Sequence, residues 1–78
     1  MRLANGAEIV YLEVRPGHRG ERKWVGKVLA HLPLNPLHPY VVWGVASSDE
    51  DEHVFDCFAG DYFEHQSTAR AAYLERRV

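Results

Sequence analysis

Four strand-like runs and one run with helical spacing of its apolar residues account for most of this chain. In EIVYLEV (8–14), Val10, Leu12 and Val14 fall on one side and Ile9, Tyr11 and Glu13 on the other, the period of two expected of a half-buried strand. Asn5-Gly6 just before it is a turn signal. RPGHRGERK (15–23), punctuated by Pro16-Gly17 and Gly20, reads as a loop longer than a tight hairpin turn, and it carries four cations. WVGKVLAHL (24–32) resumes the alternation, with Trp24, Val28, Ala30 and Leu32 on one face and Val25, Lys27, Leu29 and His31 on the other. Its valines and tryptophan favour strand over helix. YVVWGVA (40–46) sets Val41, Trp43 and Val45 on a single face. HVFDCFAGDYF (53–63) sets His53, Phe55, Cys57 and Ala59 opposite Val54, Asp56 and Phe58. A bulge at Gly60 would shift the register of Tyr62 and Phe63.

The connections are equally distinct. HLPLNPLHPY (31–40) spaces prolines at 33, 36 and 39, the repeat of a polyproline II helix. Proline donates no amide hydrogen and is excluded from a central strand, so this segment lies outside the sheet ladder. Extended at ~3.1 Å per residue, it would span about 20 Å, enough to cross a sheet end. A proline-rich recognition ligand would add a lysine or arginine at a fixed offset, and none is present, so a rigid link between strands is the better reading. SSDEDE (47–52) is a polar, acidic turn that joins the third and fourth strands as a hairpin. STARAAYLERRV (67–78) is helical by propensity. Ser67 is the expected cap, and Arg76 and Arg77 stand where the helix dipole favours cations. Ala69, Ala72 and Tyr73 form one stripe, and Ala71, Leu74 and Val78 another. DYFE (61–64) offers an earlier start at residue 62, but three polar residues at 65–67 favour the later one. The sum is one α+β domain over residues 1–78. It is a small, four-stranded, mostly antiparallel sheet with the C-terminal helix packed on one face and the other face solvated.

Composition narrows the class. A chain of 78 residues, 46% apolar and 12% aromatic, has room for one core and no second. It has no apolar run near the ~20 residues that cross a bilayer, so no membrane association is expected. There is no recognisable signal peptide, and the single Cys57 has no internal disulfide partner; both fit a reduced, cytoplasmic setting. Net charge is −2 but segregated. Residues 1–27 hold six cations against three acids, residues 28–66 hold seven acids and neither lysine nor arginine, and residues 67–78 hold three arginines against Glu75. That balance does not mark a strong nucleic-acid binder.

The run PYVVW (39–43), then GDYF (60–63), then Ala69, Tyr73 and a closing Arg76 or Arg77 resembles a widespread kind of short, mostly uncharacterised protein of actinobacteria and their phages. In that group an antiparallel hairpin ends in a G-x-Y-F-like element and a short helix follows; a histidine often follows the glycine where this chain has Asp61. The resemblance covers residues 39–78. It implies the same fold and a phage or actinobacterial origin, and it carries over no catalytic residue.

Candidate chemistry is sparse. His53 and Cys57 share a strand face, but four residues at ~3.3 Å each hold them about 13 Å apart, too far for one zinc. His31 and His38 flank the proline link, and Asp61 and His65 meet only if the helix starts early. With no C-x-x-C or H-x-x-x-H pair, neither metal nor cofactor is expected. Asp56, Phe55 and Phe58 beside Cys57 would raise its thiol pKa, so it reads as a buried apolar group and not a nucleophile. Ser47, Ser48 and Ser67 lack an elbow motif or triad partner. The expectation is a non-enzymatic binding or accessory protein that works through a protein partner. Its contact surfaces would be the sheet edges and the acidic hairpin tip Asp49, Glu50, Asp51 and Glu52, with homodimerisation through an edge strand as one specific form. The alternative is a nucleic-acid-associated regulator that uses the basic 15–27 region, with Arg15, Arg19, Arg22 and Lys23 on phosphates and Trp24 as a stacking platform. Against it stands the plainer reading of a solvated loop whose cations offset the acidic half.

Overall fold

A computed structural model describes residues 6–48 and 55–78. Four strands and a helix follow in chain order: β1 (Glu8–Pro16), β2 (Trp24–His31), β3 (Tyr40–Ser47), β4 (Asp56–Phe63) and α1 (Gln66–Glu75). All neighbouring strands are antiparallel and the sheet order is β1-β2-β3-β4, so β1 and β4 are its edges. This is the α+β meander with a C-terminal helical cover that the alternation predicts.

The core is two-sided, which the sequence reading did not anticipate. β2 and β3 pair without interruption from Trp24↔Ser47 to His31↔Tyr40. Alternation then sends Leu29 and Val42 toward α1, where Ala69 and Tyr73 bury them with help from Val10, Tyr40, Phe63 and Ala72. Val28, Ala30, Val41, Trp43 and Val45 point the other way, and that face is not solvated as expected. Ile9, Leu12 and Cys57 from the outer strands pack around it, joined by Ala7, Leu32 and Phe55 from just outside the strands. Both central strands are apolar on both faces, and each face has found cover.

Two bulges set the edges. Ile9 opposes Ala30 and Tyr11 opposes Leu29, so the register shifts at Val10. Val10 therefore packs on the helix side, and Leu12 joins Ile9 on the other, where strict alternation had put Val10 with Leu12. The extra residue lets Ile9, Val10 and Leu12 all reach a core. In β4, Val42 opposes Asp61 and Gly44 opposes Phe58, which leaves Trp43 facing both Ala59 and Gly60. The bulge expected at Gly60 is present, and the left-handed backbone within it falls on Ala59, with φ 50°. Gly60 is needed for another reason: a Cβ there would strike the Trp43 indole.

The proline segment does link β2 to β3, but it does not run as an extended span. The Leu32 amide donates to the Pro39 carbonyl (2.6 Å), Asn35 donates to the Leu32 carbonyl (3.0 Å), and the His38 amide donates to Asn35 Oδ1 (3.1 Å). The prolines lack donors, yet the Pro39 carbonyl and the Asn35 side chain supply the acceptors that close the turn. Leu34 and Leu37 project from it, 96% and 74% exposed.

α1 starts at Gln66, with His65 as the extended N-cap residue and no side-chain cap. Ser67 lies inside the first turn, so neither the Ser67 cap nor the start at residue 62 holds. Tyr62 and Phe63 stay in the sheet, opposite Val41 and Tyr40. Ala69, Ala72 and Tyr73 are the stripe that packs, and Leu74 is exposed. Tyr73 stacks on Tyr11 (5.8 Å between centroids), and the Arg70 guanidinium sits 5.8 Å from the same Tyr11 ring.

Arg76 is the C-cap residue of α1, its amide donating to the Ala72 carbonyl (3.1 Å), but the cation at this helix end comes from the sheet and not from the Arg76 or Arg77 side chains. Lys27 of β2, only 6% exposed, donates to the carbonyls of Tyr73 (2.7 Å) and Arg76 (2.9 Å). Its ammonium lies 4.5 Å above the centre of the Tyr73 ring and 3.5 Å from the Glu13 carboxylate. A cation at this end answers the helix dipole and the last unpaired carbonyls together. Lys27 therefore belongs to the helix contact and not to an accessible basic surface.

Candidate functional site

The most accessible regular element is β4. Of its eight residues only Cys57 and Phe63 are partly buried, whereas Val41–Ser47 of the adjacent β3 are all buried. One side of the β4 backbone is spent on β3; the other is a sheet edge whose amides and carbonyls point outward. Alternation, shifted by the bulge, puts an aromatic on each face beside that edge. Phe58, 50% exposed, lies across Gly44 on the helix side, in the space a Cβ of Gly44 would occupy. Tyr62, 51% exposed, meets Trp43 edge-on on the opposite side (6.4 Å, 86°). Arg76 reaches from the end of α1 to the Ala59 carbonyl (2.8 Å), which fixes the bulge from the helix side. Asp61 stands exposed on the strand between Phe58 and Phe63, on the helix side.

This arrangement offers main-chain hydrogen bonding and apolar contact. Cys57 is partly buried; burial first, and the Asp56 charge second, push its thiol above the ordinary value of 9.0, in the direction its sequence neighbours imply. Among the described residues no three His, Cys, Asp or Glu side chains converge in a way that could hold a metal ion. His31 faces Glu8 (3.5 Å) and packs against Tyr40, and His38 is engaged through its backbone in the proline turn.

The acidic tip Asp49, Glu50, Asp51 and Glu52, together with His53, lies outside the described residues. The basic loop is in view. Arg15 donates to both oxygens of Glu21 (3.1 and 3.3 Å) and to the Val78 carbonyl (3.2 Å). The Arg15 hydrogen bond, then that from the His18 amide, hold the Glu21 carboxyl below its ordinary 4.5. Arg22 donates to Ser48 Oγ (3.0 Å) and to Asp56 Oδ2 (2.7 Å). Arg19 and Lys23 are exposed. Trp24 is half-buried with its indole nitrogen enclosed, a poor surface on which to stack a base. Arg15 and Arg22 are therefore already paired with carboxylates of the same chain.

Phe58 and Tyr62 were read from sequence as strand residues without a site role. A weak signal existed in Gly44 and Gly60, whose missing side chains make room for a cross-strand aromatic. Compared with protein-family models, with curated proteins and with solved structures, the chain finds no match in any of the three. No helix among the described residues is long and apolar enough to cross a membrane.

Proposed function

We propose that this is a non-enzymatic binding module that takes an extended segment of a protein partner along the outer edge of β4. The observation that carries the reading is the exposure of that strand, with Phe58 and Tyr62 half-exposed on opposite faces of an edge. An added strand gains affinity from main-chain hydrogen bonds and selectivity from the side chains flanking the edge. Aromatic residues are the usual anchors of protein interfaces. The nucleic-acid reading has weaker support, because Arg15 and Arg22 are engaged with Glu21 and Asp56.

The test is affinity capture from lysate of the source organism with the wild-type chain and with a Phe58→Ala/Tyr62→Ala variant of unchanged circular dichroism. The expected result is a protein retained by the wild type through nuclease treatment and high salt, and lost by the variant. A catch that disappears with nuclease or salt, and survives in the variant, would reject the proposal.

A further inference from the structure

We infer that the segment taken by β4 is basic, a stretch of another protein that sets a lysine or arginine opposite Asp61, and not a second copy of this chain. The inference rests on the edge-strand reading above. Aspartate is depleted in strands, so Asp61 is a poor choice for a residue whose task is to hold the sheet. It lies within β4, is exposed, and makes no ion pair with another described residue. No lysine or arginine occurs between residues 28 and 66, so β3 and β4 bring no cation of their own. Among the described residues, the two that reach β4 from elsewhere are engaged: Arg22 on Asp56, and Arg76 on the Ala59 carbonyl. Asp61 stands exposed at the edge, and Glu64 adds another exposed carboxylate just beyond the strand.

A residue directly opposite Asp61 on an added strand would have its Cβ about 4.5–5.5 Å away, within reach of an ion pair. On the same face the neighbours of Asp61 are Phe58 and Phe63, which suit the aliphatic stem of lysine or the flat guanidinium of arginine. Self-pairing is disfavoured by the same feature. Two β4 edges would set Asp61 of each copy against a strand that carries no lysine or arginine to answer it.

The test uses fluorescein-labelled peptides of one alternating threonine–valine design that carry lysine, glutamine or glutamate at the same positions. Anisotropy at low and high salt gives affinity, and amide shifts of the full-length ¹⁵N-labelled chain give location. The lysine peptide should bind at least tenfold tighter than the glutamine peptide at low salt. That preference should shrink at high salt and vanish in Asp61→Asn, and the shifts should fall on residues 56–63. Equal binding of the lysine and glutamine peptides at β4 would overturn the basic specificity and leave the edge reading standing. A lysine preference that persists in Asp61→Asn would remove Asp61 from the account. Shifts at β1, or no shifts with any peptide, would overturn both readings. Concentration-dependent dimerisation that perturbs β4 without peptide would assign the edge to a second copy.

Discussion

Replacing Lys27 with methionine tests how the helix is held to the sheet. Methionine keeps an unbranched stem of similar reach and removes the ammonium. Two hydrogen bonds from a charged donor disappear, to the Tyr73 and Arg76 carbonyls, each worth about 1.5–3 kcal/mol. The contact with the Tyr73 ring, worth roughly 0.5–2 kcal/mol, goes with them. Against this, the cost of keeping an ammonium almost out of water, on the order of several kcal/mol, is also relieved. The balance favours loss, because the carbonyls stay behind at the helix end without a donor, and a net cost of about 2–3 kcal/mol follows. A domain of this length is held by roughly 4–12 kcal/mol in total, so the change would lower Tm by roughly 10–20 °C. Urea unfolding followed by tryptophan fluorescence and far-ultraviolet dichroism measures it, with the midpoint falling and the slope unchanged. Hydrogen exchange supplies the local check: amides of α1 should lose protection before those of β2 and β3. A variant as stable as the wild type, or a loss spread evenly over helix and strands, would refute the cap.

Four further outcomes follow from the same geometry. Ala59→Gly relieves a left-handed backbone that costs an L-residue about 1–2 kcal/mol, and after the entropy lost by glycine the urea midpoint should rise by up to ~1 kcal/mol in stability. Gly60→Ala should do the reverse, by about 1–3 kcal/mol, as its methyl group displaces the Trp43 indole. The Cys57 thiol, held up by burial and by Asp56, should react with a disulfide reagent at pH 8 more slowly than in the urea-unfolded chain; equal rates would contradict its placement. Glu21 has a lowered pKa, so its pairing contributes stability that is present above the ordinary value of 4.5 and is lost as pH falls through the folded value. Glu21→Gln should therefore flatten the acid limb of a stability–pH curve below that point, measured by urea titration across pH 2.5–6 (about, by the carboxylate range).

The central strands were legible because β2 and β3 are short runs rich in valine and tryptophan, bounded by loop residues, as strands buried on both faces are. The bulges were harder to place. Ile9, Val10 and Leu12 satisfy an unbroken alternation as well as a shifted one, and only the pairing of Tyr11 with Leu29 decides between them. The part Lys27 plays was not legible, because the strand pattern gives only its face and the helix end that receives it lies 46 residues away in the chain. The helix start drifted by a residue because His65 supplies no side-chain cap for a pattern to detect. At the site, Phe58 and Tyr62 have the same side-chain chemistry as core aromatics. Their exposure follows from β4 being last in the sheet, a property of strand order that no local pattern encodes.

Because the strands lie side by side in the order of their synthesis, each docks on the one made just before it. A nascent chain that has emerged only as far as Ser47 would carry YVVWGVAS as its outermost strand, water-averse on both faces and open to any neighbouring polypeptide. The next strand to arrive covers that edge and, with Asp56 and Asp61, replaces it by one that carries charge. The element proposed to greet a partner would thus also shield β3, and substitutions that detach it should yield inclusion bodies before they yield a soluble, inactive protein.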